Sequence, residues 1–425
     1  MKRWLTLLPL AIFCIHPPAG ANEKCRLEPL PAKSPSPTAL IQRNNQLAAE
    51  NLRLGLLTDH GLMPRVQIRN TQSSSLLIPE AQALSLQAIP VVDPFDGQQR
   101  DLGFLLDTRL YADGLLVLRN GKIVHESYRH GLTAAQPRLL LSGTRPVLSL
   151  LGAIAVGQGK LVANRSIIRH IPALSDQAGL RKLSIQRLLD ANSRFDWTAQ
   201  ELLDWQVSTG WKTGPVETGV RNWLRQPGRW DRDFAAGPPV PTDSNPDADL
   251  LAWALAETYR MPLMQVFCDQ LFAHLRPEHA VHWLTDAQGS ALSDGLALSL
   301  RDFARFGQML VDAHRAGRRS RIPAWFIETL AASAAARKAG LPESLGLPQG
   351  SEARYGFVHL GKPSNRIALL GGHGNSLYID FDRQLVIALY AAYPARLDAG
   401  QLAALNVAWD SLTTASQPEP IRQKP

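Results

Sequence analysis

The chain has 425 residues, 45% of them hydrophobic, and a formal net charge of +8. That is apolar material for one large domain or two. The positive balance is scattered: its densest cluster, Arg315, Arg318, Arg319 and Arg321, makes no single-face basic stripe, which excludes nucleic acid as a partner.

The N-terminus, MKRWLTLLPLAIFCIHPPAGANE, sets Lys2 and Arg3 before an apolar run from Trp4 to Ile15, followed by Ala19-Gly20-Ala21. This is the pattern of a secretory signal peptide (1–21) cleaved after Ala21. The run is too short for a stable membrane anchor, and bulky Phe13 stands where a lipid-modified Cys14 needs a small neighbour. A periplasmic or secreted location is expected. Cys14 leaves with the signal, and the spacing of Cys25 and Cys268 leaves a bridge and two thiols equally open.

Residues 22–37 are Pro-rich and read as a mobile lead-in. Leu40 to Leu57 reads as a short helix. GLLVLRNGKIVHESY, 114–128, has two alternating apolar runs joined by Asn120-Gly121, the strongest local hairpin signal. LLLSGTRPVLSLLGAIAVGQGKL, 139–161, opens a buried helix with Ser142 at its N-terminal edge. Helical sequence then runs to about residue 315. It is interrupted by Trp197, Trp205, Trp211, Trp223 and Trp230, which are either packing residues or an apolar lid or substrate wall. A Pro-rich turn also leads into a helix at about Ala248.

After residue 350 come strand-like YGFVHLG, RIALLGG, NSLYIDFD and QLVIALYAAY, the last two joined at Asp382-Arg383. A helix around Gln401–Leu412 and a disordered tail, 414–425, close the chain. The order predicts an α+β domain over 38–413. Its antiparallel sheet is built from N- and C-terminal segments and flanked by helices, with a mostly helical part inserted at about 150–315.

Ser142 at a helix N-terminus, among unpaired N–H groups, is a candidate nucleophile. Three residues on stands Arg145, which keeps its proton in proteins and serves as no base.

The order of segments resembles the β-lactamase-related serine hydrolases. These include class C β-lactamases, penicillin-binding DD-peptidases, family VIII esterases and 6-aminohexanoate-dimer hydrolases. The residues that carry the resemblance are DGLLVLRNGKIVHESYRHG, the Ser142 helix ending VGQGKL, IIRHIPAL, LSIQRLLDANSRFDW, SDGLALSLRDFARFGQMLVDAHRAG and GGHGNSLYIDFDRQLVIALY, over roughly 105 to 395. It implies a β-lactamase/transpeptidase-like fold and three motifs around one cleft.

In the first motif, Ser-x-x-Lys, the serine attacks a carbonyl and the lysine helps remove its proton; Ser142 is present and Arg145 replaces the lysine. In the second, Tyr-x-Asn, the match is Asp243-Ser244-Asn245: asparagine kept, tyrosine replaced. The third, Lys/His-Thr/Gly-Gly, falls on His373-Gly374-Asn375, where Gly374 and Asn375 would line the substrate. The N–H groups of Ser142 and Ser376 would form the oxyanion hole. Lys212-Thr213-Gly214 spells the third motif too, but in a Trp-rich loop before the second, and is set aside. LLDANSRFDW keeps the family's serine as Ser193 and puts Arg194 where a glycine stands.

Arg145 and Asp243 in these places would form a fixed charge-assisted pair where a proton relay stood, leaving Asp243 or His373 as rescue bases. The expectation is an exported serine hydrolase acting on an ester or amide, with altered base machinery. The alternative is an inactive relative that holds a ligand or partner in the cleft. The ligand class is a small ester or amide, or a peptidoglycan-related molecule. His125, His130 and His170 show no ligand spacing, so no metal and no cofactor is expected.

Overall fold

The computed structural model describes residues 23–33, 41–81, 83–190, 198–231, 246–332, 341, 343–361 and 365–417. The signal segment, Ser193, Arg194, Trp197, Asp243, Asn245 and the chain from 418 lie outside them.

Its strands in chain order are β1 (Cys25–Leu30), β2 (Arg65–Asn70), β3 (Pro90–Val92), β4 (Gln99–Asp101), β5 (Ala112–Arg119), β6 (Lys122–Tyr128), β7 (Arg138–Leu139), β8 (Val281–Thr285), β9 (Ala291–Leu298), β10 (Glu352–Arg354), β11 (Phe357–His359), β12 (Arg366–Leu370), β13 (Ser376–Asp380) and β14 (Leu385–Ala391). The described helices longer than ten residues are α1 (Thr144–Gly157), α2 (Ala199–Thr209), α3 (Pro246–Tyr259), α4 (Leu300–Ala316) and α5 (Ala399–Ala415).

The larger sheet runs β10-β11-β12-β13-β14-β5-β6 and every pairing in it is antiparallel. N- and C-terminal segments therefore share one sheet, as expected. The β5–β6 hairpin turns on Asn120 (φ 51°) and Gly121 (φ 77°), the pair of left-handed residues that a two-residue turn matched to strand twist requires.

Strand apolarity is near-continuous because helices cover both faces. On one side Phe303 of α4 stacks on Tyr390 at 5.5 Å. On the other Trp409 of α5 stacks on Tyr378 at 5.4 Å. Along β13, Leu377 and Ile379 enter the first core and Tyr378 the second, the period of two that a pleated strand imposes.

A second sheet, β1-β2-β8-β9-β7, was not expected. Two expectations change with it. Cys25–Leu30, placed in a mobile lead-in, is a strand paired along its length with β2. The segment read as helical to about residue 315 contains β8 and β9. Those runs were legible only as short apolar stretches, which do not separate strand from buried helix.

The expected helix over Leu40–Leu57 shrinks to Leu52–Gly55, and the final helix extends through Ala415, into the expected tail. Cys25 and Cys268 are bonded, their Cα atoms 6.2 Å apart, tying β1 to the helix Leu263–Gln270. Trp205, Trp211, Trp223 and Trp230 are buried, so packing is their main role.

Candidate active site

The chain enters the site along β7, where Leu139 pairs with Ala297 of β9 and Leu140 N–H donates to the Leu296 carbonyl at 2.9 Å. Leu141 follows with φ 52° although it is buried. A left-handed leucine costs about 1–3 kcal/mol and persists only where its surroundings over-determine it. It turns the chain sharply into Leu141–Gly143, from which α1 continues. Ser142 sits in this turn, half-buried, and no backbone carbonyl among the described residues accepts its N–H.

The turn lies directly on the end of β12. A Cβ on Gly143 would stand 2.9 Å from Leu369 Cδ2, and one on Gly371 would stand 2.5 Å from the Leu140 carbonyl oxygen. Only glycines allow this approach.

His373-Gly374-Asn375 was expected on the strand beside the serine. It is instead the turn between β12 and β13. His373 is buried with φ 61°. Its Nδ1–H donates to the Tyr393 carbonyl at 2.9 Å, which makes Nε2 the basic nitrogen of the neutral ring. Its N–H donates to the Arg396 carbonyl at 3.0 Å. The Ser142 and His373 turns are neighbours: a Cβ on Gly372 would meet Leu141 Cδ1 at 2.9 Å.

Gly374, expected at the substrate, instead abuts α5, where a Cβ would lie 2.2 Å from Gln401 Nε2. Asn375, also expected there, is buried, with both ends of its amide occupied. Nδ2 donates to the Leu139 carbonyl at 3.0 Å and Oδ1 accepts from Ala391 N–H at 3.2 Å. It splints the serine-bearing segment to β14 at the bulge between Tyr390 and Ala391.

Ser376, expected to supply an oxyanion N–H, lies in β13 between two ladders, opposite Leu370 on one side and Leu389 on the other. The end of β12 offers another backbone donor, Leu370. Within a strand, a residue's N–H and C=O point to the same side and alternate along the chain. Arg366 carbonyl accepts from Leu360 on the β11 side, and Gly371 N–H donates to Asn375 on the β13 side. Leu370 N–H therefore points away from β13, beyond the last rung Val358–Ala368, where the Ser142 turn lies. No backbone acceptor for it is found among the described residues. The strand itself was legible as RIALLGG; which of its N–H groups faces the serine turn was not.

Arg145 stands in the first turn of α1, half-buried. Its expected partner Asp243 and the motif asparagine Asn245 lie outside the described residues. Among the described residues no cluster of His, Cys, Asp or Glu could hold a metal ion, and no helix is long and apolar enough to cross a membrane.

Two carboxylates lie outside the three motifs, Asp249 buried and Asp294 half-buried. Asp249 of α3, 3% exposed, accepts from Trp205 Nε1 at 2.8 Å and from Ser293 N–H at 3.3 Å. Burial pushes it up to about 7. Burial pushes Asp294, which accepts from Trp211 Nε1 at 3.1 Å, up to about 6, with Arg396 opposing.

A carboxyl raised from 3.8 to about 7 takes up a proton on folding between those values. The native state is penalised above pH 7, and the penalty fades as pH falls towards 4. It amounts to on the order of 4 kcal/mol at most. Asp249→Asn is therefore expected to raise the urea midpoint at pH 8 by more than at pH 4.5. An equal shift at both pH values would contradict this.

A family model described as Beta-lactamase matches residues 100–408. The 6-aminohexanoate-dimer hydrolase of Paenarthrobacter ureafaciens is 24% identical over 297 residues, 67% of this chain and 73% of that protein. Among solved structures, a Bacillus anthracis protein assigned provisionally as a 6-aminohexanoate-dimer hydrolase superposes with a TM-score of 0.73 at 17% identity. The match covers 91% of this chain and all of that one. EstCE1, a hydrolase with promiscuous acyltransferase activity, follows at TM-score 0.55 and 14% identity, over 73% and 96% of the two chains.

Proposed function

This chain belongs to the β-lactamase family, a superfamily of serine hydrolases, and on that premise we propose that it is an exported hydrolase cleaving an ester or amide through a Ser142 acyl-enzyme without the usual lysine. The observation that carries this reading is the seating of the Ser142 turn on the end of β12, where two N–H groups, Ser142 and Leu370, have no acceptor among the described residues.

In this mechanism Ser142 Oγ attacks the scissile carbonyl carbon. The carbonyl oxygen gathers negative charge between those two donors, each worth on the order of 10²–10³ in rate. His373 Nε2 accepts the hydroxyl proton and returns it to the departing alcohol or amine. Water then attacks the acyl-enzyme by the same relay and releases the acid. The Cys25–Cys268 bond supports an oxidising compartment and so the export reading. The ligand is a small ester or amide, and the reading includes neither nucleic acid nor a membrane anchor.

Arg145 favours a second reading, a non-catalytic cleft that holds such a molecule or a peptidoglycan-related ligand. A serine-directed fluorophosphonate separates the two. Stoichiometric labelling of the native protein, lost in Ser142→Ala, is the expected result. A native protein that stays unlabelled supports the second reading.

A further inference from the structure

The arginine cluster noted in the sequence, Arg315, Arg318, Arg319 and Arg321, takes no part in the site. Arg315 lies in the last turn of α4, and the other three follow in the tight turn that ends it. Ser320 N–H donates to the Gly317 carbonyl at 3.0 Å and Ile322 N–H to Ser320 Oγ at 3.0 Å. Ile322 is buried while all four arginines are exposed, so the turn is pinned to the core and presents its charges to the outside.

Those charges are unanswered. None of the four arginines has a hydrogen bond or ion pair among the described residues. Asp312, one turn before Arg315, accepts from Gln308 at 3.0 Å instead. Four like charges between positions 315 and 321 repel one another, and an anionic surface relieves that repulsion.

The cationic face continues to the start of the fold. Lys24 Nζ donates to the Asp269 carbonyl at 3.3 Å and lies 3.4 Å from His274 Nε2. Burial first, and then the charges of Arg321 and Lys24, disfavour the protonated His274 ring, so both cations stand close to it. Lys24 precedes Cys25, whose bond to Cys268 fixes the start of β1 on the helix Leu263–Gln270. The apolar run Trp4–Ile15 lies just upstream in the sequence. On the export reading, the end of the chain that engages a bilayer therefore issues from this face.

The face also lies away from the chemistry. Pro323, two residues after Arg321, packs on the far end of α1, where a Cβ on Gly157 would stand 2.6 Å from Pro323 Cγ. With 14 residues, α1 is about 21 Å long, and Ser142 sits just before its other end. A flat surface that meets the arginines leaves the serine turn facing water.

Phosphate headgroups suit these features. Guanidinium groups offer paired N–H donors to phosphate oxygens, and clusters of basic residues are drawn to anionic lipid surfaces. Charges spread over an exposed turn match the many headgroups of a plane better than one enclosed anion.

We propose that Arg315, Arg318, Arg319, Arg321 and Lys24 form a face that docks the protein on a bilayer containing anionic phospholipid, with the Ser142 turn directed away from it. The contact is peripheral and electrostatic, weakens with salt, and is no anchor. It does not depend on the hydrolase reading.

The test sediments the exported chain, from Asn22 on, with vesicles of phosphatidylcholine alone or mixed with phosphatidylglycerol. Binding to the mixed vesicles only is expected, with release as salt approaches about 1 M, where screening shortens charge interactions to about 3 Å. Arg315→Gln, Arg318→Gln, Arg319→Gln and Arg321→Gln together should weaken it by on the order of 10²-fold, since each basic residue at such a surface is worth about fivefold. The same four positions changed to lysine should keep most of it. The control changes Lys33, Arg181, Lys182 and Arg225, exposed cations elsewhere in the chain, to glutamine; it removes the same net charge and should bind within a few-fold of the native protein. No binding by the native protein, or an equal loss in the two glutamine variants, overturns the proposal. Capture by soluble polyphosphate without capture by mixed vesicles overturns the bilayer as the partner. For the orientation, a fluorophore at Ser320→Cys should be quenched by nitroxide-labelled lipid. One at Asn44→Cys, on the wall of the cavity that Leu141 also lines, should not; equal or reversed quenching overturns that part.

Discussion

Arg145→Lys is expected to raise the rate at which a fluorophosphonate acylates Ser142 by about 10²-fold or more. The native arginine holds its proton at every relevant pH, so the group one helical turn from the nucleophile supplies positive charge and no base. A lysine at the same half-buried position has its charged form disfavoured by desolvation and titrates closer to neutrality. It would then accept the serine proton directly.

The control is Arg145→Gln, which removes the cation without adding a base. It is expected to leave acylation at or below the native rate, because the positive charge that favours the developing oxyanion is lost. Acceleration by lysine alone identifies base restoration. Equal acceleration by both variants would mean that the guanidinium merely obstructs the serine. If neither variant changes the rate while His373→Ala abolishes it, the proton passes wholly through the imidazole.

The large-scale fold was legible because its signals are local and redundant. Asn120-Gly121 dictates one turn geometry, β14 carries an uninterrupted apolar run, and the Ser142 helix is buried along most of its length. The second sheet was hidden because β8 and β9 are short apolar runs between helices, whose pairing with β2 and β7 is non-local.

The candidate nucleophile was visible from its helix N-terminus. The donor proposed on β12 was not, because a backbone N–H carries no side-chain signature: which side Leu370 faces depends on ladder parity. Asn375 misled for a related reason. A polar residue in a glycine position reads as an altered substrate contact, whereas here it satisfies two backbone groups at a bulge.

Arg138→Ala is expected to cost about 3–5 kcal/mol of stability, among the largest single losses available to this chain. Arg138 and Asp113 are each about 1% exposed and meet at 2.8 Å. Asp113 also takes Arg53 Nε at 2.7 Å and His130 Nδ1 at 2.9 Å, but both of those partners are partly solvated. Removing the guanidinium leaves a buried carboxylate paired only from its wet side.

A second loss falls on the site. Arg138 Nη2 donates to the Ala391 carbonyl at 2.6 Å, while Asn375 takes the N–H of the same residue. Arg138 and Asn375 together fasten β7, and through it the Ser142 turn, to the bulge of β14. The variant should therefore unfold at lower urea and, where still folded, acylate more slowly.

Replacing both members of the pair separates these effects. Arg138→Met with Asp113→Leu removes the buried charges together and should recover most of the stability, since an apolar pair of similar volume often replaces a buried ion pair without loss. It restores no donor to the Ala391 carbonyl, so acylation should stay slow. Recovery of both stability and acylation in the double variant would show that the link from Arg138 to Ala391 plays no part in holding Ser142.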